Sequence, residues 1–263
     1  MKNSIAVDEL FSAIHTYAAP MIIDVRRLQA FEEAERMIPT AYWRDHLVTG
    51  DWAREIPDEK EVVIYCVHSQ QVSQAAVAIL RSQGIHARYL TGGFGAWEAA
   101  GATTLPRKAM TAHQGKHWIT RENPKIDRIA CPWLIRRFID PSAVFHYVEA
   151  DWVQEIAVET GAIVFDVPGA DTPFAHDRGF CSFDAFIRHF DMRDAALKKM
   201  AAVVRGAGTV QLDLAPQAAG LVALSLGLSA LYRDDQEMLE KGMIFYDALY
   251  SWCRNASNEQ KEK

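Results

Sequence analysis

Cys66 ends an apolar run, Glu61-Val62-Val63-Ile64-Tyr65-Cys66, and a short polar segment follows it, Val67-His68-Ser69-Gln70-Gln71. A helical pattern then runs from Val72 to Gln83, with Val72, Ala76, Ile79 and Leu80 on one face. A cysteine between a strand end and a helix start sits where backbone N–H groups converge. That setting favours the thiolate and any negative charge attached to its sulfur. His68, Ser69, Gln70, Gln71 and Ser73 add side-chain donors. The chemistry this permits is attack on a sulfur donor without a neighbouring base. The alternative is a structural cysteine packed at a strand end.

Two further groups of residues carry chemistry. Lys116, Arg121, Lys125, Arg128, Arg136 and Arg137 outnumber Glu122 and Asp127 in the stretch from 116 to 137. Cys131-Pro132 reads as a helix start, with proline at the first helical position. Lys125, Arg128 and that helix end would then hold a small oxyanion together, and the Cys131 thiol would be acidified there. The alternative is a solvated basic helix with Cys131 packed beneath it. His176 and Cys181 form H-x4-C, with Asp166, Asp171, Asp177 and Asp184 nearby. Such a set can bind a transition metal. It can equally consist of a histidine satisfying a loop hydrogen bond and a cysteine that caps or packs.

The elements that must position these residues change character along the chain. Up to about residue 100, short apolar strands alternate with helical segments: a helix over 4–18, strands at 21–25, 41–43, 61–65 and 87–90, and a helix after Thr91-Gly92-Gly93. This alternation predicts a parallel sheet flanked by helices. Residues 103–117 read as a linker. The second half begins with Trp118-Ile119-Thr120, continues with a helix over 132–139, a strand over 144–148, a helix over 151–160 and a strand over 163–167. It then turns mostly helical, giving an α+β domain over 118–254. A polar tail, 255–263, is expected to be flexible.

Bulk properties narrow the function classes. The 263 residues are 49% hydrophobic, enough for one large or two ordinary domains, and the net charge is −6. Neither half is net basic, which argues against nucleic-acid binding. The four cysteines, Cys66, Cys131, Cys181 and Cys253, show no CxxC spacing, so reduced thiols and a cytoplasmic location are expected. No signal peptide is read at the N-terminus. The longest uncharged stretch, Leu214 to Tyr232, contains Pro216 and Gly220 and predicts a buried core helix, not a membrane span.

Four motifs in order make the first hundred residues resemble a rhodanese domain. They are Ile23-Asp24-Val25-Arg26; Phe31-Glu32 with Arg36-Met37-Ile38-Pro39-Thr40-Ala41; Val63-Ile64-Tyr65-Cys66 with Ala75-Ala76; and Leu90-Thr91-Gly92-Gly93-Phe94-Gly95-Ala96-Trp97. The resemblance implies a domain over 1–102 and a single-cysteine sulfurtransferase. It would pass sulfane sulfur through a persulfide on Cys66 and need no cofactor, with a small sulfur donor and a thiol or cyanide-like acceptor as partners. Asp24 and Arg26 would help order the loop formed by Val67 to Ser73. The loop has Ser69 where the family often has glycine, and neutral Gln70 and Gln71 where it often has arginine or lysine. The donor is therefore open among thiosulfate, a protein-bound persulfide and a low-molecular-weight thiol.

The second half resembles the C-terminal domain of the chromate-resistance (ChrB-type) family. The matching segments include Trp118 to Glu122, Lys125 to Ile135, Phe165-Asp166-Val167-Pro168-Gly169, Cys181-Ser182-Phe183-Asp184, Leu212 to Gln217 and Tyr246 to Tyr250. The resemblance implies a link to chromate, a tetrahedral oxyanion. Some members are chromate-responsive transcriptional regulators, but with a different N-terminal region, so DNA binding is not carried over. The leading expectation is a sulfurtransferase fused to an oxyanion-binding or oxyanion-sensing domain. The alternatives are a non-catalytic oxyanion sensor and a metal-dependent enzyme using His176 and Cys181.

Overall fold

The chain folds as two units, Met1–Ala112 and His113–Lys263, in a computed structural model that describes residues 2–68 and 71–259. Ser69 and Gln70, two of the expected loop donors, lie outside the described residues, as do residues 260–263. In the first unit, strands Ser4–Ile5 (β1), Met21–Asp24 (β2), Arg36–Met37 (β3), Tyr42–Trp43 (β4), Val62–Tyr65 (β5), Ala87–Leu90 (β6) and Leu105–Pro106 (β7) alternate with helices. The helices are Val7–Ala13 (α1), Leu28–Glu33 (α2), Thr49–Trp52 (α3), Gln71–Ser82 (α4), Gly93–Ala99 (α5) and Arg107–His113 (α6). Five strands form a parallel sheet in the order β1-β6-β5-β2-β4. Burial on both faces explains why β2 and β5 are near-continuous apolar runs. On one face Val62, Ile64 and Cys66 alternate into a core with Trp52, Ala76, Val77 and Leu80, so the period of two delivers the cysteine to the α4 side.

Two sequence expectations are corrected here. Ser4 and Ile5 do not begin a helix; they pair with Tyr89 and Leu90 as the edge strand, and α1 starts only at Val7. The 103–117 stretch is not a bare linker. Leu105–Pro106 pairs antiparallel with Arg36–Met37, and the Trp97 indole donates to the Thr103 carbonyl at 2.9 Å. Fully buried Leu105 and Met110 hold this segment on the first unit, a gain that its threonine and proline content concealed.

The second unit has three parallel strands, His117–Arg121 (β8), Val144–Val148 (β9) and Ile163–Val164 (β10), in the order β10-β8-β9. Its helices are Ile126–Leu134 (α7), Val153–Thr160 (α8), Ser182–His189 (α9), Ala195–Gly208 (α10), Ala218–Leu231 (α11) and Asp235–Glu259 (α12). An aromatic core fills the space beneath β8, where Phe174 and Phe186 stack at 4.3 Å between ring centroids and Trp118 meets Phe174 edge-on at 5.3 Å. Arg137 grips Asp247 through two hydrogen bonds of 2.9 Å, and the Trp133 indole donates to the same carboxylate at 2.8 Å, which ties the α7 region to α12. That helix runs on to Glu259, so the expected tail at 255 starts inside it. Among the described residues no helix is long and apolar enough to cross a membrane.

Cys131-Pro132 is not a helix start. Lys125 caps α7, and Pro132 falls inside the helix. A proline there has no N–H for the carbonyl four residues earlier, that of Arg128. The Tyr147 hydroxyl on β9 donates to this carbonyl instead, at 2.8 Å. Tyr147→Phe is therefore expected to leave the carbonyl unsatisfied and to destabilise the second unit by about 1 kcal/mol. For a unit of this size that is a fall of roughly 2–4 °C in its calorimetric melting temperature. An unchanged melt would mean that the freed carbonyl has another partner.

Candidate functional sites

Cys66 directly follows the carboxyl end of β5, the edge at which parallel sheets present ligand sites. It is 7% exposed, and its thiol donates to the Ser73 hydroxyl in the first turn of α4 at 3.3 Å. The backbone on either side is pinned. The Phe94 amide donates to the Cys66 carbonyl at 2.9 Å and the Gly95 amide to the Val67 carbonyl at 3.0 Å. Those contacts need α5 to begin right beside the loop. Gly92 and Gly93 make the turn with φ of 75° and 61°, and a Cβ on Gly92 would lie 2.4 Å from that of Ala96.

Asp24 and Arg26 form no surface pair. They are 0% and 3% exposed, and the Arg26 Nε donates to both Asp24 oxygens at 3.0 and 2.8 Å. The Tyr65 hydroxyl donates to Asp24 Oδ2 at 2.9 Å, and the guanidinium lies 4.8 Å over the Phe94 ring. Burial and the neighbouring Asp24 carboxylate push the Tyr65 phenol well above its ordinary range. Arg26 thus rests on Phe94, whose amide holds the cysteine carbonyl. Of the other expected loop residues, Val72 packs against the core, Gln71 opens α4, Val67 is exposed, and the exposed His68 ring lies against Gly95.

The second unit carries a cavity of about 490 Å³. The expected oxyanion residues Lys125 and Arg128 line it with Arg121, and so do Asp127, Asp166 and His176. The His176 Nε2 is 3.1 Å from Asp166 Oδ1 and 3.7 Å from Asp127 Oδ2. Asp166 also accepts from the Ser182 hydroxyl at 2.7 Å, with Arg121 and Arg128 at 3.7 and 3.5 Å from its other oxygen. Its backbone is left-handed, φ 51°, and its amide donates to the Phe174 carbonyl. Asp127 accepts from the Phe183 amide at 3.0 Å. Burial, with the Asp166 charge next to it, pushes the Asp127 carboxyl up to about 6. The hydrogen bond to Asp166 raises His176, while burial lowers Arg128.

Arg128 is already engaged. It donates to the carbonyls of Arg121 and Glu122 at 3.1 and 2.6 Å. A bare oxyanion in this cavity would face two carboxylates as well as the arginines. One ligand atom each from Asp127, Asp166 and His176 lies within 4.8 Å of the others, an O, O, N set suited to a cation.

The two other cysteines depart from expectation. Cys131 is fully buried inside α7, and burial first, then the Asp127 charge, pushes its thiol well up; it is not acidified. The helix N-terminus that was to acidify it lies at Ile126 instead. Cys181 caps α9: its amide donates to Asp184 Oδ2 at 3.1 Å and its thiol to the same oxygen at 3.4 Å. Burial raises that thiol too. Of the H-x4-C pair, His176 joins the O, O, N cluster and Cys181 does not. Asp127, which enters the sequence reading only as a counter-charge, joins instead. No spacing rule announces it, because it lies on a different element from Asp166 and His176.

Residues 118–253 match the family model described as ChrB, C-terminal domain, and residues 6–100 match that of the rhodanese-like domain. Protein ChrB from Cupriavidus metallidurans is 32% identical over 155 residues, 57% of this chain and 44% of that protein, so the chain spans less than half of that relative. Thiosulfate sulfurtransferase GlpE from Pseudomonas syringae pv. syringae is 35% identical over 91 residues, 34% of this chain and 79% of that protein. Among solved structures, a rhodanese-like domain protein from Staphylococcus aureus is 30% identical with a TM-score of 0.33, covering 37% of this chain and 91% of that one.

Proposed function

This chain belongs to the ChrB C-terminal-domain family and carries a rhodanese-like domain ahead of that domain; on this premise we propose that its first unit is a sulfurtransferase that carries sulfane sulfur as a persulfide on Cys66. The observation that supports this most is the seat of the thiol. It lies at the carboxyl end of β5, bonded to Ser73 in the first turn of α4, with its carbonyl held by the Phe94 amide. With thiosulfate as donor, the thiolate attacks the outer sulfur, the S–S bond breaks, and sulfite leaves with the electron pair. An acceptor thiolate or cyanide then takes that sulfur, and the Cys66 thiolate returns. The helix N-terminus stabilises the charge at both stages, since thiolate and persulfide are both anions. Of the loop's described residues, Val67, His68, Gln71, Val72 and Ser73, none is lysine or arginine, which favours a protein-bound persulfide or a low-molecular-weight thiol over thiosulfate as donor.

For the second unit we propose a chromate-related role, supported by its family and by Arg121, Lys125 and Arg128 on the lining of the cavity.

Intact mass spectrometry after incubation with thiosulfate, and separately with a polysulfide, tests the first unit. Wild type is expected to gain one sulfur that cyanide removes, and Cys66→Ser to gain none. If neither of these donors nor the protein-bound persulfide of a cysteine desulfurase loads the wild-type chain, the rhodanese fold serves here as a binding module.

A further inference from the structure

We propose that Asp127, Asp166 and His176 hold one divalent first-row transition-metal ion in the cavity of the second unit. Their ligand atoms lie within 4.8 Å of one another and come from three separate segments: α7, the turn after β10, and the loop before α9. Two carboxylates and an imidazole are the donor set of Mn²⁺, Fe²⁺ and Zn²⁺ sites. Three protein ligands leave coordination positions open toward the cavity, as in metal sites that take a substrate or an anion.

An acidic cluster alone would not carry this, but two other features point into the same space. Ser225 is 5% exposed, lines the cavity, and its hydroxyl has no hydrogen-bond partner among the described residues. A buried hydroxyl without a partner costs roughly 1–3 kcal/mol, so a group that fills the cavity and reaches it is favoured. The Arg121 Nε, on the same lining, is likewise buried without a partner among the described residues. The second feature is room kept for Asp127: a Cβ on Gly208 would stand 2.4 Å from its Oδ2. The site is thus a cradle whose lining residues carry two buried polar atoms without a partner among the described residues.

The ion also resolves the charge conflict in the cavity. Two carboxylates repel an oxyanion, whereas a dication between them neutralises both. Arg121 and Arg128, at 3.7 and 3.5 Å from Asp166, are then less compensated and can face an anion bound at the open positions. The inference does not depend on sulfur transfer, since Cys66 belongs to the other unit.

The full-length chain, stripped with a chelator, is titrated separately with Mn²⁺ and Zn²⁺, and bound metal is counted by elemental analysis after desalting. One ion per chain is expected. Affinity should fall at least about tenfold in Asp166→Asn and in His176→Gln, since loss of a mere supporting group already costs that much, while Cys181→Ser keeps its ion. Because the His176 side chain is 45% exposed, His176→Gln tests the site even where Asp166→Asn fails to fold. The proposal is overturned if neither ion binds, if both ligand variants bind as wild type does, or if Cys181→Ser loses the ion and His176→Gln keeps it.

Discussion

Replacing Arg26 by methionine is expected to destabilise the first unit by about 3–5 kcal/mol, the cost of stranding one member of a buried ion pair. Asp24 is fully buried, and its oxygens take three hydrogen bonds from the guanidinium side chain. Without the Arg26 side chain, the Tyr65 hydroxyl and the backbone amide of residue 26 are what remain to it among the described residues. Methionine restores most of the volume, so the loss isolates charge from packing. The double variant Asp24→Leu/Arg26→Met should recover much of that loss, because a neutral pair has no desolvated charge to support. Urea unfolding of the full chain measures both. A cost below about 1 kcal/mol for Arg26→Met, the range of an exposed pair, would show that water reaches Asp24. Sulfur loading of Cys66 should slow in the same single variant, because the guanidinium rests on Phe94 and the Phe94 amide holds the cysteine carbonyl.

Gly208→Ala should destabilise the second unit by roughly 1–3 kcal/mol, the usual cost of overpacking, and abolish metal uptake. Helix propensity argues for the opposite sign, since alanine gains about 1 kcal/mol over glycine inside a helix. Gly208 is the last residue of α10, where that gain is smallest. Against it stands a Cβ only 2.4 Å from Asp127 Oδ2. The carboxylate cannot swing away freely, because its other oxygen holds the Phe183 amide at 3.0 Å and the side chain is buried. Either that hydrogen bond breaks or α10 moves, and both changes displace a proposed ligand. Calorimetry and metal analysis of one preparation decide the sign. A variant that melts higher and still binds metal would show that Asp127 has a second, unoccupied rotamer.

Some of this chemistry was legible along the chain because it is local. The strand ending at Cys66, the polar loop and the helix after it are consecutive, and a period of two followed by a helical period announces them. The same locality made Asp24 and Arg26 visible as a pair. Their burial was not, since it depends on Tyr65 and Phe94 arriving from other parts of the chain. In the second half, Cys131-Pro132 misled for a related reason. Proline at a helix start is a sound local rule, but a tyrosine on a neighbouring strand supplied the missing donor and let the helix run through.

By itself the sequence determined two domains, a parallel sheet with helices in the first, a mostly helical second unit, and a cysteine between a strand end and a helix start. These follow from periodicity and from motifs whose residues are neighbours in the chain. Only the tertiary structure decided that His176 leaves Cys181 for Asp127 and Asp166, and that the basic residues share one cavity with two acids. It also decided that Cys131 is buried inside a helix and its thiol pushed up by that burial. Each of these is a property of distance and of solvent exclusion between segments far apart in the chain, and a linear pattern holds neither quantity.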